Sequence, residues 1–248
     1  MRIHILRSEK SPIDEQTLCL GRELLPLCSY NDRNANLDYH IGEIARACVK
    51  GPESAGAAKE LCESFVRALS DDGTQAWQYQ HLANTLFEIQ PEIALDAFFA
   101  GSDNDGSPLV RMLVLNETDG PVNRVPQELL LAWAGKDLAI RFPWVAGEIR
   151  LTDKGADGKL SWTPIAVHLL ENATDRTAVL RAFSQRIEPR SWSGSLADVL
   201  TPYLQPIRAL LTHSDPMVRE WALKREQRLN ARIAEERRQE QQIDARFE

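Results

Sequence analysis

A chain of 248 residues that is 43% hydrophobic and 26% charged has the apolar content of a folded protein, which sets it apart from disordered sequences. Its net charge of −7, from 29 Lys and Arg against 36 Asp and Glu, repels a phosphate backbone and disfavours nucleic acid as a partner. No window approaches ~18 consecutive apolar residues, so no membrane-spanning helix is expected.

The first residues, MRIHILRSEK, have a basic start without an apolar stretch of signal length. Cys19, Cys28, Cys48 and Cys62 all fall in the first quarter, with no C-x-x-C spacing and no His at zinc-ligand spacing. The expectation is four free thiols in a reducing cytoplasm, with no structural zinc. Residues 219–248 carry eight basic and seven acidic side chains, whereas residues 1–218 carry 21 and 29, so the acidity lies in the body.

In chain order, residues 13–70 give helical windows broken by polar stretches at Ser29–Asn36 and Gly51–Gly56. Gln75–Gln90 is free of Gly and Pro and sets Trp77, Leu82, Leu86 and Ile89 near one face, which predicts a helix capped by Thr74. Pro91 opens a second helix that Gly101 ends. The apolar run Val110–Leu115 fits either a strand or a short helix, and the pattern it shares with later segments selects helix.

That pattern is a short polar residue followed by an aliphatic residue and Arg. Ser107 to Val110-Arg111, Asp137 to Ile140-Arg141 and Asp215 to Val218-Arg219 fit without gaps, and Asp175 to Leu180-Arg181 fits with two extra residues. The polar residue caps a helix, the aliphatic residue faces inward and Arg sits at the edge. The arginines lie 30, 40 and 38 positions apart, the rhythm of two-helix repeats that hide their apolar faces only against neighbours. The partner helices are expected at Gln127–Ala134, Pro164–Glu171 and Ser195–Leu211, with turns at Asp103–Gly106, Asn116–Val125 and Thr152–Gly158.

The D-x-x-V-R-x-x-A run at Asp215, Val218, Arg219 and Ala222 resembles the second helix of a HEAT repeat, and the rhythm over residues 107–235 resembles HEAT/armadillo-type arrays. The resemblance implies an all-α fold, a right-handed α-α superhelix, and a surface for binding other proteins. The whole chain, residues 1–248, is expected to be one helical-repeat domain with a less regular part over residues 1–106. A long charged C-terminal helix completes it: Val218, Trp221, Ala222, Arg225, Leu229 and Ile233 share one face, then Glu236 and Glu240 interrupt the stripe. Residues up to 235 should dock, leaving 236–248 to project.

Catalytic signatures are absent: there is no phosphate-binding glycine loop, no H-E-x-x-H and no nucleophile elbow, and His4, His40, His81, His168 and His213 are scattered. No catalytic residue, cofactor or metal is expected. Trp162 and Trp192, each in a Ser-Trp pair, and Ile243 and Phe247 near the end are the candidate interaction residues, because Trp dominates interface hot spots and the two apolar side chains have no evident role unless they pack on the body or meet a partner. The function expected is a non-catalytic cytoplasmic scaffold or adaptor with a protein partner. Two alternatives are a HEAT-like nucleic-acid-acting protein, such as a DNA glycosylase-like module, and a regulatory or sensor part of a nucleotide-dependent machine.

Overall fold

A computed structural model describes residues 13–30, 36–70, 76–99, 120–189 and 191–245. The repeat pattern at Ser107–Arg111, the Val110–Leu115 segment, the stop at Gly101 and Phe247 lie outside these residues, as does the side chain of Trp77. The chain is mostly helical and divides into two compact units, Met1–Met112 and Leu113–Glu248.

In the first unit, α1 (Glu15–Leu24) precedes α2 (Leu37–Cys48), α3 (Ala55–Ser70), α4 (Gln80–Ile89) and α5 (Pro91–Phe99). Helix α2 packs on α4, and α3 packs on α5. Three polar links give α2 and α4 a parallel register. At their starts, the Asp38 carboxylate accepts from the backbone N–H groups of His81 and Leu82, both at 2.8 Å. Further along, Arg46 grips both carboxylate oxygens of Glu88 at 2.9 Å. At their ends, the Gln90 amide donates to the carbonyls of Val49 (2.8 Å) and Gly51 (2.7 Å). Gly42 makes room for the His81 ring, which a Cβ there would overlap. The interior is aromatic: Phe65 lies 5.1 Å from Tyr30 and 5.8 Å from Phe98 between ring centroids, and Phe98 lies 5.1 Å from Phe87. Burial in this core pushes the Cys62 thiol up to about 12.

Sequence periodicity predicts one helix over Gln75–Gln90, but a 3-10 turn at Ala76–Tyr79 comes first and α4 begins at Gln80. The Asp38 carboxylate supplies the reason, since it fixes the helix start at the amides of His81 and Leu82.

The described part of the second unit starts with a 3-10 turn at Pro121–Arg124 and continues through α6 (Gln127–Ala134), α7 (Leu138–Glu148), the strands β1 (Thr152–Lys154) and β2 (Leu160–Trp162), α8 (Pro164–Asn172), α9 (Arg176–Arg186), α10 (Leu196–Leu200), α11 (Leu204–Ala209) and α12 (Pro216–Asp244). Helix α7 packs on α9, α9 touches α12, and α8 rests on α7 and α9. Asp137, Asp175 and Asp215 cap α7, α9 and α12 by accepting from the N–H groups of Ile140 (3.2 Å), Ala178 (3.0 Å) and Met217 (2.8 Å). An arginine early in each of these helices donates back to carbonyls that end the preceding helix or its loop. Arg141 reaches Trp133 O (3.0 Å), Arg176 reaches Leu170 O (3.1 Å) and Glu171 O (2.8 Å), and Arg219 reaches His213 O (2.6 Å) and Ser214 O (2.7 Å). Arg176 also bonds Asp215 at 3.0 Å, joining one hairpin's clasp to the next hairpin's cap.

Four expectations are corrected here. In the α8–α9 hairpin the clasp is Arg176 and not Arg181, which is exposed, because Arg176 at the first helical position already reaches the open carbonyls. Ile140 is 45% exposed, whereas Val218 is fully buried; Phe142 fills the interior of α7 instead. The Ser195–Leu211 segment is not one helix but α10 and α11 separated by the 3-10 turn Thr201–Tyr203, since Pro202 and Pro206 each lack the amide that a continuous helix needs. Thr152–Gly158, expected to be a turn, begins a β-hairpin in which Thr152 pairs with Trp162 and Lys154 with Leu160. Its turn is closed by Gly155 N–H to Lys159 O (2.8 Å) and by Gly158, whose φ of +79° suits a residue without Cβ.

Two measurements check this account. Asp38→Ala leaves two amides without their acceptor and should cost about 1–3 kcal/mol in urea unfolding, with Asp38→Asn milder because one acceptor oxygen stays; equal, negligible losses would show that water replaces the carboxylate. The Asp215 carboxyl is held below the usual carboxylate range, first by the Met217 N–H and then by Arg176. A depressed folded-state value stabilises the fold above the unfolded carboxyl pKa of about 3.9 and loses that contribution as pH falls through the folded value. Between about pH 5 and about pH 2, the wild type should therefore lose more stability than Asp215→Asn; parallel curves would show that Asp215 has no folded-state preference for its charged form.

Candidate interaction surface

The docked face of α12 combines apolar and ionic contacts. Val218, Ala222, Leu229 and Ile233 are buried along it. Between them the Trp221 indole donates to Ser184 Oγ at 2.9 Å, and Arg225 Nη2 donates to Ser184 O (3.2 Å) and to Glu188 Oε1 (2.6 Å). Arg232 takes the other Glu188 oxygen at 2.6 Å, so one carboxylate of the segment after α9 holds two turns of α12. Thr177 at the start of α9 donates to Met217 Sδ at the start of α12, which gives the two helices a parallel register.

Docking does not stop at Glu236. Glu240 Oε2 accepts from Ser195 Oγ (2.9 Å), and Glu240 Oε1 lies 3.5 Å from the Ala197 N–H. Ser195 Oγ in turn accepts from Asp198 N–H at 3.1 Å, so the serine caps α10 and the carboxylate backs the cap. Glu240, one of the two residues that break the apolar stripe, therefore extends the docked face, and any projecting part begins beyond it.

The candidate residues fall into different roles. Trp162 ends β2, stacks on Phe183 of α9 with centroids 5.3 Å apart and planes at 23°, and donates from Nε1 to Pro206 O of α11 at 2.7 Å. Its ring and its donor are thus both used inside the unit. Trp192 differs: it is 50% exposed in the loop before α10, where Gly194 at φ +78° turns the chain toward the Ser195 cap. Ile243, 53% exposed, lies one turn beyond Glu240. The Ser195–Glu240 bond consequently ties the loop bearing Trp192 to the helical turn before Ile243. Sequence reasoning finds the two apolar residues but misses Glu240, whose role is legible only once Ser195 is seen as a cap.

Among the described residues His81 Nε2 pairs with Glu43 at 3.2 Å and His213 Nε2 with Glu171 at 2.9 Å. The His213 Nδ1 accepts from the Asp215 N–H at 3.0 Å, which assigns the ring proton to Nε2. Among the described residues neither pair is bonded to a hydroxyl or thiol that it could activate. Among the described residues no group of three or more His, Cys, Asp and Glu side chains could hold a metal ion, and no helix is long and apolar enough to cross a membrane.

Glu240→Ala should cost about 1 kcal/mol, the usual value of a capping interaction, while removal of residues 241–248 should leave the melting temperature unchanged. Thermal unfolding of both variants checks this, and a large loss from the shorter chain would show that the last residues fold back onto the body.

Comparison of the chain with models of protein families, with curated proteins and with solved structures finds no match.

Proposed function

We propose that this protein is a non-catalytic, cytoplasmic scaffold or adaptor whose second unit is a HEAT-like array of helical hairpins, wound as a right-handed α-α superhelix, that binds another protein. Three hairpins closed by the same device, an Asp cap and an Arg clasp, support the repeat assignment. So does the parallel register of α9 and α12, as expected when equivalent helices of successive repeats stack.

One observation carries the binding assignment. Trp133, Trp162 and Trp221 are committed to internal packing or hydrogen bonds, whereas Trp192 stands half-exposed on a loop anchored at its end by the Ser195–Glu240 bond, with exposed Ile243 a turn beyond Glu240. Rigid, exposed aromatic side chains bind with little loss of side-chain entropy and dominate interface hot spots.

The test uses full-length protein as bait. A partner retained by the wild type should be lost with Trp192→Ala combined with Ile243→Ser, an expected loss of about 2 kcal/mol or more, and kept by Val167→Ala, which alters an exposed residue of α8. Capture indifferent to the double variant would move the interface elsewhere, and a measured turnover without any partner would overturn the proposal.

A further inference from the structure

The net charge of the chain is confined to one unit. Residues 1–112 carry 10 Lys and Arg against 17 Asp and Glu, whereas residues 113–248 carry 19 of each, so the first unit holds the whole −7. An exposed apolar face, unpartnered among the described residues, lies on that acidic unit. Helix α1 has no buried residue, and Leu20, Leu24 and Leu27 are 51%, 43% and 77% exposed. Their steps of four and three place them on one stripe, which the 3-10 turn Leu25–Leu27 continues.

The charges around the stripe are sorted. Arg22, the one cation of α1, turns toward the body, where its Nε donates to Cys48 O at 2.8 Å and its Nη1 pairs with Glu15 at 2.9 Å. Gly21 makes that approach possible, because a Cβ there would overlap Cys48 Sγ. What faces solvent beside the leucines is acidic: Asp14, Leu20 and Glu23 line one shallow depression of about 590 Å³. The Thr17 hydroxyl and amide both donate to Asp14, which favours its ionised form.

We infer that this face of α1 is a docking site for a cationic amphipathic helix of a partner protein. The leucines receive its apolar side, and Asp14 and Glu23 pair with the Lys or Arg residues that flank it. Charge complementarity selects this occupant. A second copy would bring its own −7 and the same acidic rim against itself, and an anionic lipid surface would be repelled in the same way. The site is independent of the Trp192 and Ile243 surface.

The test measures fluorescence anisotropy of a labelled synthetic peptide, about 18 residues of Leu and Lys arranged with helical amphipathic period, against the full-length protein. The control peptide has the same composition in scrambled order. The amphipathic peptide should bind at least about tenfold tighter than the scrambled one and weaken about tenfold between roughly 50 and 300 mM salt. Leu27→Ser and Glu23→Lys, both at exposed positions, should each weaken it severalfold with unchanged melting temperatures, and Trp192→Ala should not. Equal binding of the two peptides, or binding indifferent to both α1 variants, overturns the inference. It is also overturned if the wild type sediments as a dimer that Leu27→Ser dissociates, since a second copy then covers the stripe, or if binding emerges only after residues 1–12 are removed.

Discussion

Short helices have a disproportionate number of ends, and each end leaves up to four amides or carbonyls without an internal partner. Most helices here are short: α6, α8 and α11 span Gln127–Ala134, Pro164–Asn172 and Leu204–Ala209. Packing such helices into a core therefore depends on satisfying their ends, and both units meet the demand with long-range side chains. In the first unit Asp38 and Gln90 cross between α2 and α4; in the second, arginines reach back from α7, α9 and α12 to the carbonyls before them. Because an aspartate can cap only amides and an arginine can serve only carbonyls, these links also set polarity and register. Apolar burial supplies much of the stabilisation, but it has little directionality and would tolerate a slip along the helix axis.

The long helix α12 follows the same logic with ions in place of caps. Its apolar contacts end at Ile233, and fixing the turns beyond requires something other than burial. Glu188 binds Arg225 and Arg232 beside the stripe, and beyond Ile233 Glu240 carries the line on to Ser195. Arg225 and Glu188 are each largely shielded from water, so this pair is felt more strongly than an exposed one such as Lys59 with Glu63. The charged residues of the tail are consequently asymmetric: some are part of the docked face, while Arg228 and Arg237 are exposed.

Much of this was legible in the sequence because it rests on local rules. Asp137, Asp175 and Asp215 announce helix starts, Pro91, Pro164 and Pro216 stand at first helical positions, and Val218 to Ile233 mark the docked stripe. What local rules could not show depends on distant partners. Glu240 looks like a break in an apolar stripe until Ser195 is opposite it, and Arg181 looks equivalent to Arg141 and Arg219 until Arg176 is seen to hold the carbonyls. The β-hairpin escaped notice because three-residue strands are too short for alternation to register. Trp162 on Pro206 and Thr163 on Leu151 O and Arg150 O hold its base from outside.

The same constraint bears on where binding can reside. A side chain that closes a helix end cannot be released to a partner without exposing an unsatisfied amide or carbonyl, a cost of about 1–3 kcal/mol for each group left buried. This removes Asp38, Gln90, Arg141, Arg176, Arg219 and Trp162 from the set of residues free to recognise anything. Recognition is left to side chains outside these clasps and the core. In the second unit that set includes Trp192 and Ile243; in the first it includes Leu20, Leu24 and Leu27 beside Glu23, while Asp14, which caps α1, keeps carboxylate lone pairs for a cation without releasing its amide. The two sets differ in kind, one aromatic and aliphatic on a neutral unit, the other aliphatic on a unit carrying the whole excess of negative charge. A surface of the second kind draws an oppositely charged partner over a distance set by ionic strength, whereas the first acts only at contact. Salt concentration therefore separates the two surfaces without altering either one.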